Sequence, residues 1–424
     1  MPLVRDALGH ATLGGLRLAD IAARPDVRTP FYAYDVDGVV ARAEALAAGY
    51  GAHPHHVSFA VKANTAGRVL RRLAAIGVGA DVVSGGELAV ALASGIPADH
   101  VVFNGVAKTD GELDAAISAG THGILAICAE SVEEIDRVAA RARALGRTAR
   151  ISLRVKPGVV VDTHVNIQTG HDEAKFGIAR GDVSDALRRV SASPALSLQG
   201  LAMHIGSQMT DTDDYDRAGV VLCELAKAHL AAGGTLTYLD FGGGFGIDYG
   251  AGCPVSPADF TSRTVALVEK QRLGHLRLLS EPGRSLVATE GVLVARVVQT
   301  KAGGQLHAGW VFLDAGMNDL MRPALYQARH RIEPVLSRSG YTTVRRVCGP
   351  VCESSDDFGS YELPADLAMG DLVVLRDAGA YGFTMASQYN GRALPDEVFL
   401  EHGAVTHVSR TATAETWIAA RLAT

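Results

Sequence analysis

No apolar run in this chain approaches the ~20 residues that cross a bilayer as a helix. The first residues, MPLVRDALGHATLGG, lack the basic patch and apolar stretch of a secretory signal. Cysteine is scarce: Cys128, Cys223, Cys253, Cys348 and Cys352 are odd in number and show no CxxC spacing. That pattern argues against a disulfide framework or a zinc site, so no metal is expected, and it points to a reducing compartment, the cytoplasm. A strong excess of either charge is missing too. A net charge of −6 over 424 residues gives no reason to expect nucleic acid or an anionic membrane as a partner. Internal repeats, low-complexity tracts and flexible linkers are also absent, so any domains should pack closely.

What is present is an ordinary globular composition, 48% hydrophobic and 20% charged. The length exceeds what one hydrophobic core usually supports, so two domains are expected. From about residue 30 to 285, short β-rich runs alternate with helix-like segments. The candidate strands are 57–61, 80–83, 101–104, 123–128, 150–155, 198–204, 236–241 and 276–281, the number a (β/α)8 TIM-like barrel requires. Thr109 with Glu112 and Ser131 with Glu134 fit capping boxes. Val132, Ile135, Val138, Ala139 and Ala142 recur at helical spacing, one stripe to press on a sheet. After residue 285 the runs 291–300, 310–314, 341–347, 371–377 and 398–408 read as strands with little helix between them. Residues 286–424 therefore form an all-β barrel or sandwich, which residues 1–29 are expected to join.

Functional groups of such barrels sit at the C-terminal ends of the strands. Those ends carry Lys62, Asp81, Arg154, His204, Gly242–Gly243–Gly244 and Glu281–Pro282–Gly283–Arg284. A lone lysine after a strand is usually a solvated charge. Lys62, after a buried-looking strand, is expected to be desolvated, which lowers an amine's pKa and makes it a nucleophile. The glycine run suits close approach of backbone N–H groups to a phosphate, although such runs also make plain turns.

FAVKAN, HIGSQ, GGGFG, EPGRS, GPVCESSD and DAGAYG stand in the order and approximate spacing of the alanine-racemase-like, fold-type III pyridoxal-phosphate (PLP) decarboxylases. From about residue 28 to the end the chain resembles that family, and within it the diaminopimelate branch most. The resemblance implies that Lys62 holds the cofactor as a Schiff base and that Glu281 pairs with the pyridine nitrogen. His204 would lie against the ring, with Asp81, Glu87 and Arg154 orienting Lys62 and the ring. Ser207, Gly243, Gly244, Gly283, Arg284 and Tyr381 would hold the phosphate end. Cys352 would protonate the α-carbon after CO2 leaves. In the family that cysteine's loop reaches the neighbouring subunit, so a homodimer with shared active sites is implied, the β domain supplying substrate and dimer contacts.

Diaminopimelate carries an ammonium and a carboxylate at each end. Arg284 and Arg322 would clamp the distal carboxylate in forked geometry, with the Tyr326 hydroxyl and Tyr381 assisting, and Glu353 would take the distal ammonium. Some positions depart from the family: residues 164–170, Glu290 in 286–290, and Gln388 and Ala393 in 385–394. A relative acting on another carboxylated amino acid therefore stays open, as do an amino-acid racemase and a non-catalytic homologue.

Overall fold

A computed structural model of the chain describes residues 3–159, 175–304, 308–410 and 412–423. The chain divides into two compact units. One comprises Met1–Val39, Tyr249–Ala251 and Leu286–Thr424; the other comprises Val40–Asp248 and Gly252–Ser285. The atypical stretch 164–170 lies outside the described residues.

The N-terminal segment begins with β1 (Leu3–Arg5), β2 (Ala11–Leu13) and β3 (Leu16–Arg17) in a small antiparallel sheet, followed by α1 (Leu18–Ala22). Next comes β4 (Phe31–Asp35). Alternation alone places residues 30–39 with the barrel, but they belong to the β unit. β4 lies between two later strands of that unit, and its Phe31 and Ala33 pack with Leu3, Leu13, Leu18 and Ile21 in one core. A fully buried strand next to a helix reads as a βα unit, and only the pairing partners reveal otherwise.

The barrel strands are β5 (His55–Ala60), β6 (Gly79–Val82), β7 (Val101–Phe103), β8 (Ala126–Ala129), β9 (Ala149–Lys156), β11 (Leu196–Ala202), β12 (Tyr238–Asp240) and β13 (Arg277–Ser280). A short β10 (Ile178–Ala179) pairs with β9 alone. Each of the eight pairs in parallel with its neighbours, and β13 returns to β5, closing the cylinder. The helices are α2 (Val36–Ala48), α3 (Gly67–Ala75), α4 (Gly85–Ala93), α5 (Asp110–Ser118), α6 (Val132–Ala144), α7 (Val183–Ala192), α8 (Asp213–Ala231) and α9 (Pro257–Lys270). The capping box at Thr109 is complete. At Ser131 only half forms: the hydroxyl accepts from the Glu134 amide, while the Glu134 carboxylate turns to the Glu130 amide and to buried Lys108. Ile135, Val138, Ala139 and Ala142 are buried as the stripe requires.

After α10 (Arg284–Val287) the β unit resumes with β14 (Gly291–Lys301), β15 (Gly309–Leu313), α11 (Arg322–Tyr326), β16 (Ile332–Pro334), β17 (Thr342–Cys348), β18 (Asp357–Pro364), β19 (Leu372–Leu375), β20 (Asp396–Glu401), β21 (Ala404–Ser409) and α12 (Ala414–Leu422). The long β14 is the spine, pairing with β4, β15 and β19. The run expected at 398–408 is a hairpin of two strands. His402 and Gly403 both take positive φ, 55° and 68°, as a two-residue hairpin turn demands. β18 went unseen in the sequence because its exposed positions, including Ser360 and Glu362, read as loop.

Candidate active site

The barrel delivers its charged side chains where the strands end. β5 runs out into a single 3-10 turn, Val61–Ala63, that carries Lys62 off the strand. Lys62 Nζ donates to Asp81 Oδ2 at 2.6 Å. Asp81 Oδ1 accepts from Asn104 Nδ2 at 2.8 Å, and the same amide nitrogen donates to Glu281 Oε1 at 2.5 Å. Asn104 therefore bolts the partner of Lys62 to the acid at the end of β13. The expectation of a desolvated lysine is corrected here: the side chain keeps 36% exposure, and its close contact with the buried Asp81 carboxylate, not burial, defines its surroundings.

Glu281 shares the barrel interior with Asp240 at the end of β12. Burial first, then the charges of Asp240 and Asp81, push the Glu281 carboxyl well above the usual carboxylate range. Burial also pushes Asp240 up, to about 6. Acids this close in a dry site do not all ionise, so the pair retains a proton.

Arg154 on β9 forms a buried ion pair with Glu130 Oε1 at 3.0 Å, and its guanidinium lies over the Phe176 ring at 4.8 Å. Its Nη2 reaches the His204 carbonyl at 3.4 Å. His204 Nδ1 accepts from the Gly243 amide at 3.3 Å. Burial, and then the charges of Arg154 and Lys62, hold His204 well below its ordinary value, so the ring is neutral. Glu87, in the first turn of α4, accepts the Val83 amide at 2.9 Å, and burial raises its carboxyl.

The glycine run is a backbone cradle. Gly242 and Gly244 take φ of +66° and +91°. A Cβ on Gly243 would stand 2.0 Å from the Glu281 carbonyl, and one on Gly244 would stand 2.2 Å from the Gly206 carbonyl. Only glycine lets this loop pass so close to its neighbours. Beside it, Arg284 Nη2 donates to Ser207 Oγ at 3.0 Å, and Gly283 is buried one residue before Arg284. Backbone amides, a hydroxyl and a guanidinium make a suitable cradle for a phosphate.

In the β unit, Cys352 is exposed, its amide donating to Asn390 Oδ1 at 2.8 Å. Glu353 accepts the Ser355 hydroxyl at 2.5 Å and also bonds the Tyr389 side chain. Arg322 and Tyr326 bracket α11, four positions apart and hence on one face. Arg322 is buried, its Nη1 2.8 Å from His330 Nε2 and its guanidinium 4.9 Å from the Tyr249 ring centroid. Tyr381 stands in the left-handed region at φ 57°. Glu290, unexpected in sequence, accepts the Thr289 hydroxyl at 3.1 Å and lies against Gly38 at the start of α2.

Residues 36–288 match the family model described as pyridoxal-dependent decarboxylase, pyridoxal binding domain. The chain belongs to the pyridoxal-dependent decarboxylases. It is 40% identical over 396 residues to a diaminopimelate decarboxylase of Zymomonas mobilis, covering 92% of each chain. A diaminopimelate decarboxylase of Neisseria meningitidis is 39% identical, over 93% of this chain and 95% of its own length. Among solved structures, the diaminopimelate decarboxylase of M. jannaschii in co-complex with L-lysine superposes with a TM-score of 0.92 at 31% identity, covering 100% of this chain and 98% of that one. The enzyme of Helicobacter pylori complexed with L-lysine gives 0.87 at 33% identity, over 95% and 98%.

The cofactor of the pyridoxal-dependent decarboxylases fits the residues present: an amine at a strand end, a buried acid pair that retains a proton, and a tight glycine turn beside a hydroxyl and a guanidinium suited to a phosphate. Sequence reasoning passed over Asn104, Glu130, Asp240 and His330. The first three end or directly follow barrel strands, so the strand-end rule applied to every strand would have found them. His330 lies in a loop, and nothing in its sequence surroundings marks it.

Proposed function

We propose that this chain decarboxylates meso-diaminopimelate to L-lysine. The observation that carries this is end-to-end similarity, 39–40% identical over more than nine-tenths of the chain, to relatives bearing that activity. When bound, pyridoxal phosphate supplies an electron sink for the pair released as the carboxylate leaves. The chain's own residues do the rest. Lys62 holds the cofactor by its amine, and Asp81 keeps that amine in place. Glu281, Oε1 fixed by Asn104, would pair with the ring nitrogen and keep it protonated. Neutral His204 would lie against the ring, and Arg154, locked to Glu130, braces its backbone. Ser207, Gly243, Gly244, Gly283, Arg284 and Tyr381 receive the phosphate.

Cys352 delivers the proton to the α-carbon. Arg322 and Arg284, with Tyr326 and Tyr381, take the distal carboxylate, and Glu353 takes the distal ammonium. Two copies form a homodimer in the cytoplasm, the Cys352 loop of each completing the site of the other. The exposure of Cys352 and the free state of all five cysteines among the described residues support this reading. No helix among the described residues is long and apolar enough to cross a membrane.

The test is purified protein with pyridoxal phosphate and meso-diaminopimelate, followed for lysine and CO2. Release of CO2 from a different carboxylated amino acid, with no lysine formed, would overturn the substrate. Exchange of the α-proton without CO2 would make the chain a racemase, and failure to bind the cofactor would make it a non-catalytic relative.

A further inference from the structure

Arg322 is buried in the β unit, and its guanidinium carries only donors. A ring nitrogen 2.8 Å from its Nη1 must therefore present a lone pair, so His330 Nε2 is the acceptor. The other ring nitrogen, Nδ1, lies 2.9 Å from the Arg376 carbonyl, which can only accept. Both partners demand one state: neutral imidazole with its hydrogen on Nδ1. His330 is 1% exposed, and its ring meets Tyr249 edge-on at 5.5 Å while Tyr249 also faces the guanidinium at 4.9 Å. The His330 backbone is pinned as well, its carbonyl accepting the Tyr361 hydroxyl at 2.8 Å. Imidazole, phenol ring and guanidinium thus form one packed group whose only charge belongs to Arg322.

We propose that His330 is a positioning residue for substrate choice, fixing the plane of the Arg322 guanidinium so that it meets a carboxylate distal to the reacting carbon. This rests on the reading of Arg322 as a ligand of that distal carboxylate. A planar donor fork recognises a carboxylate only when both are coplanar, so an acceptor locking one N–H also sets the direction of the others. A hydrogen bond to a charged group in a dry site is strong enough for its loss to be felt at the substrate.

The experiment uses the holoenzyme and two variants. His330→Phe keeps the ring and removes the acceptor; His330→Gln places an amide oxygen where Nε2 stood. The expected result for His330→Phe is a KM for meso-diaminopimelate raised on the order of tenfold or more, with kcat falling by less. Inhibition by 1,5-diaminopentane, which has no carboxylate, should shift by less than about twofold, whereas inhibition by L-lysine, which keeps the distal carboxylate, should weaken with KM, and the visible band of the bound cofactor should persist. His330→Gln should recover most of the lost KM, and it also serves if the Phe variant fails to fold. Inhibition by 1,5-diaminopentane and KM worsening together in both variants would overturn the proposal, because it would mark a general structural role. Arg322→Gln is measured alongside. If it raises KM while His330→Phe does not, His330 has no such role and the proposal alone falls. If Arg322→Gln leaves KM unmoved in an enzyme that makes lysine, the distal-carboxylate reading fails and takes the proposal with it.

Discussion

The barrel strand ends and the Cys352 loop hold their candidate groups in opposite ways. In the barrel, Lys62, Asp81, Asn104 and Glu281 form one chain of side-chain bonds, and Asp81, Asn104 and Glu281 are buried. In the β unit, Cys352 and Glu353 stand exposed on a loop, tied down through Asn390, Ser355 and Tyr389. Groups that tune a cofactor work best when fixed and dry, because a low dielectric magnifies each charge and no reorganisation is needed at the moment of reaction. Groups that meet a substrate must be reachable. The division predicts that barrel substitutions damage cofactor binding and turnover together, whereas substitutions in the Cys352 loop damage turnover or KM with the cofactor retained.

The largest expected effect is at Lys62. Lys62→Ala should remove the visible cofactor band and lower turnover by more than ~10³-fold, read by absorbance and by CO2 release. Cys352→Ala comes next, slowing turnover about 10²- to 10⁴-fold, the usual contribution of a positioned proton donor. Its cofactor band should remain at full strength. A Cys352 variant that lost the band would break the comparison between the units, and one with full activity would remove Cys352 from the chemistry. Asn104→Leu should be intermediate. It leaves Asp81 and Glu281 each short of a buried donor, so cofactor affinity should fall about tenfold to a hundredfold, measured by titration of the absorbance. An unchanged affinity would mean that the bond to Glu281 carries no weight.

How much of this was legible beforehand follows the same divide. The barrel announced itself because each strand is a short apolar run bounded by helix signals, and because barrel geometry sends functional groups to one known end of each strand. Lys62, Asp81, Arg154, His204 and Glu281 could be found from that rule and the motifs together. What stayed hidden were the pairings. Nothing in local sequence says that Asn104 bridges two acids or that Glu130 neutralises Arg154, since those contacts join residues 23 to 177 positions apart. The β unit was harder. Its strands include half-exposed ones such as β18, and β4 is separated from β14 by the whole barrel sequence. His330 was invisible for the same reason: its value lies in what it touches, Arg322 on one side and the Arg376 carbonyl on the other.

The smallest expected effect concerns stability and belongs to the β unit. Glu397 on β20 is buried, accepts the Tyr34 hydroxyl at 3.1 Å, and is pushed up to about 7 by burial. In the unfolded chain the same carboxyl titrates near the ordinary glutamate value of 4.5. Between those values the folded chain binds a proton that the unfolded chain has already released, so stability falls as pH rises through that window and levels off above about 7. The contribution is at most on the order of 3 kcal/mol. Glu397→Gln keeps an oxygen for Tyr34 and carries no charge at any pH. Its urea midpoint should match the parent near pH 5 and exceed it at pH 8. Burial raises Asp319 to about 7 as well, so part of the parent's decline should survive in the variant. If the two proteins lose stability in parallel from pH 5 to 8, Glu397 is ionised in the fold at no cost, and the β unit is wetter around β20 than its burial implies.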